Sequence, residues 1–272
     1  MVVGADGQWS RTRKIAFGPG GFYPINEQYV AYFTLPRPIQ EGEEYIATMY
    51  LGTKRRGMML RRSNPDDLQV YLGCTGGSER LKNARKGDIE EEKAALTEVF
   101  KGAGWRTEEI VGCLGETDNF YCERLGLVRL ESWSRGRIAL VGDAAYCPSP
   151  NTGMGTTSAV IGAYILAGEI AQHCGTQSER NEEGAATWRD NIKDGGLVTA
   201  LKRYQQKFEP FMKQVTKGVE SQGNTPSSKF GLFIVYGLVQ LASLLKVDIF
   251  SRFFSHEEVK GWNLPDYREL RA

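Results

Sequence analysis

The residues best suited to chemistry stand in one stretch, Gly142-Asp143-Ala144-Ala145-Tyr146-Cys147-Pro148-Ser149-Pro150-Asn151-Thr152-Gly153-Met154-Gly155. The apolar run Ile138–Val141 before it reads as a buried strand. Asp143 is then set at the carboxyl end of that strand, where ligands of open α/β sheets collect. An ionised carboxylate there accepts hydrogen bonds from sugar or sugar-alcohol hydroxyls. Gly142, lacking a side chain, is expected to let a ligand approach the backbone. Pro148 and Pro150 stiffen the loop, and Gly153 and Gly155 let it turn sharply into a helix. The first N–H groups of that helix, from Gly155 and Thr156 onward, lack intrahelical partners and favour negative charge. A plain strand–loop–helix connection with incidental glycines is the competing reading.

A second candidate precedes it, Asp6-Gly7-Gln8-Trp9-Ser10-Arg11-Thr12-Arg13, after a short apolar strand expected to be buried, Met1 to Gly4. Asp6 and Gly7 make a turn. Arg13 is a phosphate-binding candidate, against the reading of Arg11, Arg13 and Lys14 as a merely solvated cluster.

The 272 residues suffice for one large domain or two modest ones, and the formal charge of +1 leaves no basic surplus for a nucleic-acid binder. The five cysteines form no C-x-x-C pair, which reads as reduced thiols in a cytoplasmic protein. His173 and His256 are far apart without zinc-ligand spacing. His173 closes a helix, where a positive charge is favoured. The N-terminus lacks the charged and apolar regions of a signal peptide.

The elements that must position these residues follow from pattern. Runs YVAYFTL, EYIATMYLG, RRGMMLRR and DLQVYLG, parted by turns at Pro36-Arg37-Pro38, Gly52 and Asn64–Asp67, predict an antiparallel sheet. Asp88–Ala103 predicts a helix with Ile89, Ala95, Leu96, Val99 and Phe100 on one face. A second helix is expected from about Gly155 to His173, a polar surface excursion over Gly175–Gly196, and an amphipathic helix over Leu197–Val219 interrupted at Pro210. Met49, Met58 and Met59 are read as core rather than pocket lining, and the tryptophans and tyrosines as core rather than a cofactor stack. Phe230–Leu245 is uncharged but shorter than a spanning helix. It reads as a buried or partner-covering helix, with membrane-surface contact through 230–245 as the rival.

With these residues in view, G-D-A-A-x-x-x-x-P-x-x-G-x-G after G-R-I-A-L-V resembles the second FAD motif of the aromatic hydroxylase (group A, p-hydroxybenzoate hydroxylase-like) flavoprotein monooxygenases. Asp6–Arg13 is similar to that family's D-G-x-x-S-x-x-R motif, and Leu201–Pro210 looks like its helix behind the flavin. The resemblance implies an α/β fold: a three-layer FAD-binding domain with an inserted β-rich substrate domain and C-terminal helices. On that basis 1–24 and 133–223 belong to the FAD-binding domain, 25–132 to the substrate domain and 224–272 to a helical segment. It further implies that NADPH reduces FAD and that O2 then hydroxylates an aromatic or polyketide-like small molecule. The cofactor-binding residues carried over are Asp143, Gly142, Pro150, Gly153, Met154, Gly155 and Thr156, with Asp6, Gly7 and Arg13 in support, and no catalytic base is implied.

Two departures stand out. Tyr146 takes a position commonly His in the family, and the sequence holds no G-x-G-x-x-G on a leading strand. The chain is therefore expected to be an incomplete FAD-binding unit. Its alternative reading is a non-catalytic or fragmentary relative that binds flavin weakly or not at all.

Overall fold

The computed structural model describes residues 1–174, 194–219, 227–244 and 259–271. In chain order the elements are β1 (Val2–Gly4), α1 (Arg11–Phe17), β2 (Phe22–Pro36), β3 (Ala47–Gly52), β4 (Arg56–Arg62) and β5 (Asp67–Thr75). Then come α2 (Glu79–Asn83), α3 (Ile89–Phe100), α4 (Thr107–Gly112), β6 (Tyr121–Val128), β7 (Ser134–Arg135) and β8 (Ile138–Leu140). The series ends with α5 (Asp143–Tyr146), α6 (Gly155–Cys174), α7 (Asp194–Val215) and α8 (Lys229–Leu244). The chain divides into two compact units. One holds Met1–Tyr23 with the described parts of Gly126–Gln222 and Ser255–Ala272, and the other Pro24–Leu125 with the described part of Gly223–Phe254.

The second unit is built on a five-stranded sheet of order β3-β4-β5-β2-β6, antiparallel between β3 and β4, β4 and β5, and β5 and β2. Alternate residues of its strands are buried, Ala31, Phe33 and Leu35 on β2, Met58 and Leu60 on β4, Leu68, Val70 and Leu72 on β5. They share a core with Ala95, Leu96 and Phe100 of α3 and Ile110 of α4. This is the period-two pattern of a sheet with one face covered. Asp88 caps α3 by accepting the Glu91 amide, whereas Ile89, expected on the buried face, is exposed in the first turn. At the other end of α3, buried Arg56 donates 2.9 Å hydrogen bonds to the Val99 and Lys101 carbonyls, closing the helix from the sheet.

The opposite sheet face carries partly exposed side chains. Met49 lies across from Met59, Met59 from Tyr71, and Tyr71 from Tyr32, so a thioether and aromatic row crosses the strands. Tyr121 stacks beside Tyr32 at 6.2 Å between ring centroids. Arg61, Gln69 and Thr34 form the next row, since Arg61 pairs with Gln69 and Gln69 with Thr34. Of the three methionines read as core, only Met58 is there; Met59 alternates with it and Met49 lies across from Met59, so both point to the opposite face.

In the first unit a three-stranded sheet has the order β1-β8-β7, with β1 and β8 parallel. β8 is buried at Ala139 and Leu140, as its apolar run predicts. β1 is not: Val2 and Val3 are exposed, because β1 has β8 as its single neighbour among the described residues. Helices α6 and α7 pack together around Ile165, Leu166, Leu201, Tyr204 and Phe208, joined by Trp133, Tyr146 and Tyr267. Trp133, Tyr146 and Tyr204 are thus core residues, with Trp133 4.7 Å from Tyr146 and 5.4 Å from Tyr204. Pro210 does not interrupt α7, which runs through it to Val215. Proline costs the ladder one donor, but buried Phe208, Phe211 and Met212 hold the helix on both sides of it.

The last described segment docks here too. Glu169 of α6 is fully buried and accepts a 2.5 Å hydrogen bond from the Tyr267 hydroxyl, while Lys207 of α7 reaches it at 2.5 Å. His173, in the last turn of α6, lies 3.4 Å from the other Glu169 oxygen. Residues 175–193 of the expected surface excursion lie outside the described residues; its last two glycines, Gly195 and Gly196, belong to α7. Within 259–271 the only helical stretch is a 3-10 turn, Arg268–Leu270.

Helix α8 departs from the buried reading. Leu232 and Ala242 are buried, but Phe230, Phe233, Leu238, Leu241 and Leu244 are exposed. Among the described residues no helix is long and apolar enough to cross a membrane.

Candidate functional site

Parallel pairing of β1 with β8 joins stretches more than a hundred residues apart. Val2 lies opposite Ile138 and Gly4 opposite Leu140, and the Val141 amide donates to the Gly4 carbonyl at 3.0 Å. Both strands therefore end at one edge, and the loops carrying Asp6 and Asp143 leave it side by side.

The Asp6 carboxylate caps α1, accepting from the Ser10 hydroxyl at 2.5 Å and from the Arg11 and Thr12 amides at 2.8 and 3.0 Å. Burial pushes this carboxyl up, but the hydrogen bonds from Ser10 and Thr12 outweigh it and hold the pKa at about 2. Ser10 in turn accepts the Arg13 amide at 2.8 Å. The result is a fixed aim for Arg13, which is buried. Its Nη1 donates to the Ala144 carbonyl at 3.0 Å and its Nη2 to the Gln8 carbonyl at 2.5 Å. Arg13 thus ties one loop to the other, while its Nε has no partner among the described residues. Arg11 and Lys14, its neighbours in the basic cluster, are exposed. Gly7 sits in the intervening turn at φ 76°.

Gly142 has φ 64°, and a Cβ there would lie 3.4 Å from the Ala159 methyl on α6. Its positive φ is what a side chain would strain, since the contact with Ala159 is an ordinary one. Asp143 opens the single turn α5 and is half-buried. Burial raises its pKa, and a hydrogen bond from the Cys147 thiol works in the other direction. The Cys147 thiol also lies 3.6 Å from Gln8 Oε1. Tyr146 turns away into the core, where its hydroxyl meets that of Tyr204 at 3.2 Å; burial pushes it up to about 12. Tyr204 also donates to the Leu140 carbonyl at 3.0 Å, bracing the end of β8 from α7.

The loop then makes a 3-10 turn, Pro150–Thr152. Gly153 closes it in the left-handed region at φ 67°, its amide donating to the Pro150 carbonyl at 3.0 Å. Met154 is buried, and its amide donates to Thr152 Oγ1 at 3.1 Å. Gly155 and Thr156 form the first turn of the 20-residue helix α6, and Thr156 is exposed. A Cβ on Gly155 would meet nothing within 4 Å.

Two participants were not read from the sequence. Ser149 is held at φ 70° between two prolines, is buried, and its hydroxyl has no partner among the described residues. Cys147 supports Asp143. The Pro148-Ser149-Pro150 triplet was the available signal for the first, and nothing local marks the second.

The edge thus offers a half-buried carboxylate, an orphaned hydroxyl and a helix N-terminus. Such a donor and acceptor set fits a polyol chain joined to a ring that takes on negative charge, which is the chemical make-up of a flavin. The FAD binding domain family matches residues 1–183. The chain is 44% identical to the FAD-dependent monooxygenase asL4 of Sarocladium schorii over 99% of its own length and 64% of that protein's. Its fold is similar to part of the tetracycline destructase Tet(55), with a TM-score of 0.70 at 23% identity, covering 98% of this chain and 62% of that one. The Klebsiella pneumoniae HpxO complex with FAD and uric acid superposes with a TM-score of 0.58 at 17% identity, over 94% and 58%. The chain spans somewhat under two thirds of the length of these proteins. Its match over residues 1–183, together with the two loops that β1 and β8 set side by side, makes this chain a member of the FAD binding domain family.

Proposed function

We propose that the chain serves an FAD-dependent monooxygenase that hydroxylates a flat aromatic or polyketide-like small molecule, using NADPH and O2. The observation that carries the reading is the side-by-side exit of the Asp6 and Asp143 loops at one sheet edge. Relatives point the same way: asL4 is named a monooxygenase, and the fold neighbour Tet(55) is a tetracycline destructase. The chemistry supplied by bound FAD, once NADPH has reduced it, is the activation of O2.

This chain's residues bind and orient. Asp143 accepts hydrogen bonds from the hydroxyls of the ribitol chain, which restores the solvation its burial removes. Pro150, Gly153, Met154, Gly155 and Thr156 shape the floor of the site, and the amides starting α6 oppose negative charge on the ring. Gly142 sets the direction of Asp143. Asp6, Gly7 and Arg13 act from behind, with Arg13 fixing the Ala144 carbonyl. In the second unit, the row of Met59, Tyr71 and Tyr32 with the polar row of Arg61, Gln69 and Thr34 is a surface for a planar ring bearing oxygen substituents. The test is turnover of flat phenolic polyketides with FAD, NADPH and isotopically heavy O2. Heavy oxygen in the product supports the reading, and NADPH consumption without label in any product overturns hydroxylation.

A further inference from the structure

Helix α8 is apolar on two opposite sides. One side meets its own unit: Leu232 and Ala242 are buried, and the Tyr236 hydroxyl is pinned to β3. It accepts the Leu51 amide at 2.9 Å and donates to the Leu51 carbonyl at 3.1 Å. The other side carries Phe230, Phe233, Ile234, Leu241 and Leu244 at helical spacing, with Phe230 and Phe233 74% and 75% exposed and Leu244 81%. A helix apolar all round is ordinarily enclosed, and a patch of this kind marks a contact surface.

Charge sits at one end of this patch. Lys229 begins the helix, and the Lys54 amide donates to the Ser227 carbonyl at 3.1 Å, which brings the β3–β4 turn with Lys54 and Arg55 beside it. All three cations are exposed, and among the described residues none of them makes an ion pair. From Ser227 to Leu244 there is no acidic residue. A second copy of the chain would match the apolar stripe, but its helix brings no acid to meet the cations. An anionic lipid surface supplies both an apolar layer and negative charge.

We propose that α8 is a membrane-surface anchor. It lies in the plane of an anionic bilayer with the Phe230–Leu244 stripe among the upper acyl chains and Lys54, Arg55 and Lys229 at the lipid phosphates. The sixteen described helical residues span about 24 Å, short of the roughly 30 Å hydrocarbon core, a length that suits a helix resting on the membrane. The inference is independent of flavin binding.

The test is cell-free synthesis of the full chain with phosphatidylcholine vesicles, with or without phosphatidylserine, followed by flotation. The chain should float with the serine-containing vesicles at least about tenfold better than with phosphatidylcholine alone. Phe233→Glu with Leu241→Glu, both at exposed positions, should cut flotation about tenfold or more. Lys54→Glu with Lys229→Glu should remove the preference for anionic lipid. A parent chain that stays at the bottom with both vesicles, or an acidic double variant that floats as well as the parent, overturns the proposal. So does a soluble dimer that the double variant splits, since that assigns the stripe to a second copy.

Discussion

Removing the Asp143 side chain separates a ligand-binding role from a structural one. Asp143 is half-buried, burial raises its pKa, and only the Cys147 thiol pulls the other way. Ionised Asp143 is therefore under-solvated, and hydroxyl donors from a ribitol chain would restore its partners. A charge-assisted hydrogen bond of this type contributes about 1.5–3 kcal/mol, so Asp143→Ala should weaken FAD binding roughly 10- to 150-fold. Stability should move the opposite way. A carboxyl whose folded pKa lies above its unfolded value near 3.9 makes stability fall as pH rises between the two. Without ligand, Asp143→Ala should thus be no less stable than the parent, and its relative advantage should be larger at neutral pH than below about pH 4. Fluorescence titration with FAD and thermal melts of the flavin-free protein at the two pH values measure both. Equal FAD affinity in variant and parent would refute the site. A large loss of melting temperature would instead make Asp143 part of the scaffold.

Gly153→Val forces a β-branched residue into the left-handed region at φ 67°, costing about 1–2 kcal/mol at the loop. Flavin content should fall further than melting temperature does, and parental content would show that the loop does not touch the cofactor. Glu169→Ala strands Tyr267 and Lys207, and should destabilise by about 2–3 kcal/mol in urea unfolding, under the usual 3–5 because Lys207 is 37% exposed and can turn to water. An unchanged midpoint would mean that this buried cluster does not hold the C-terminal segment. The Asp6 pKa of about 2 makes its contribution fully present above the unfolded value near 3.9 and lost as pH falls towards 2. Asp6→Asn should therefore flatten the acid limb of the stability profile in that window, and a parallel limb in both proteins would refute the cap.

The sequence by itself determined the local chemistry. Period-two runs gave the antiparallel sheet because one face of it is covered, and the spacing of Ala95, Leu96, Val99 and Phe100 gave α3 because that face packs on the sheet. The order Gly-Asp, prolines, Gly-x-Gly announced a strand end, a stiff loop and a helix N-terminus, since few residue types satisfy those backbone shapes. The tertiary structure decided what each residue spends its bonds on. Asp6, read as part of a turn, also caps α1 through partners within six residues, whereas the grip of Arg13 on the Ala144 carbonyl depends on β1 finding β8 across more than a hundred residues. Gly142 takes a φ of 64°, a backbone shape that favours glycine, with Ala159 of α6 in ordinary contact behind it. Pro210 was read as a break, yet the helix persists because the apolar face on either side of it is buried, and the packing of that face outweighs one lost hydrogen bond. The uncharged run from Phe230 was read as buried or partner-covering because apolarity alone cannot tell an enclosed helix from an exposed one. That distinction depends on which faces find partners, and in α8 one face does while the other is left to solvent.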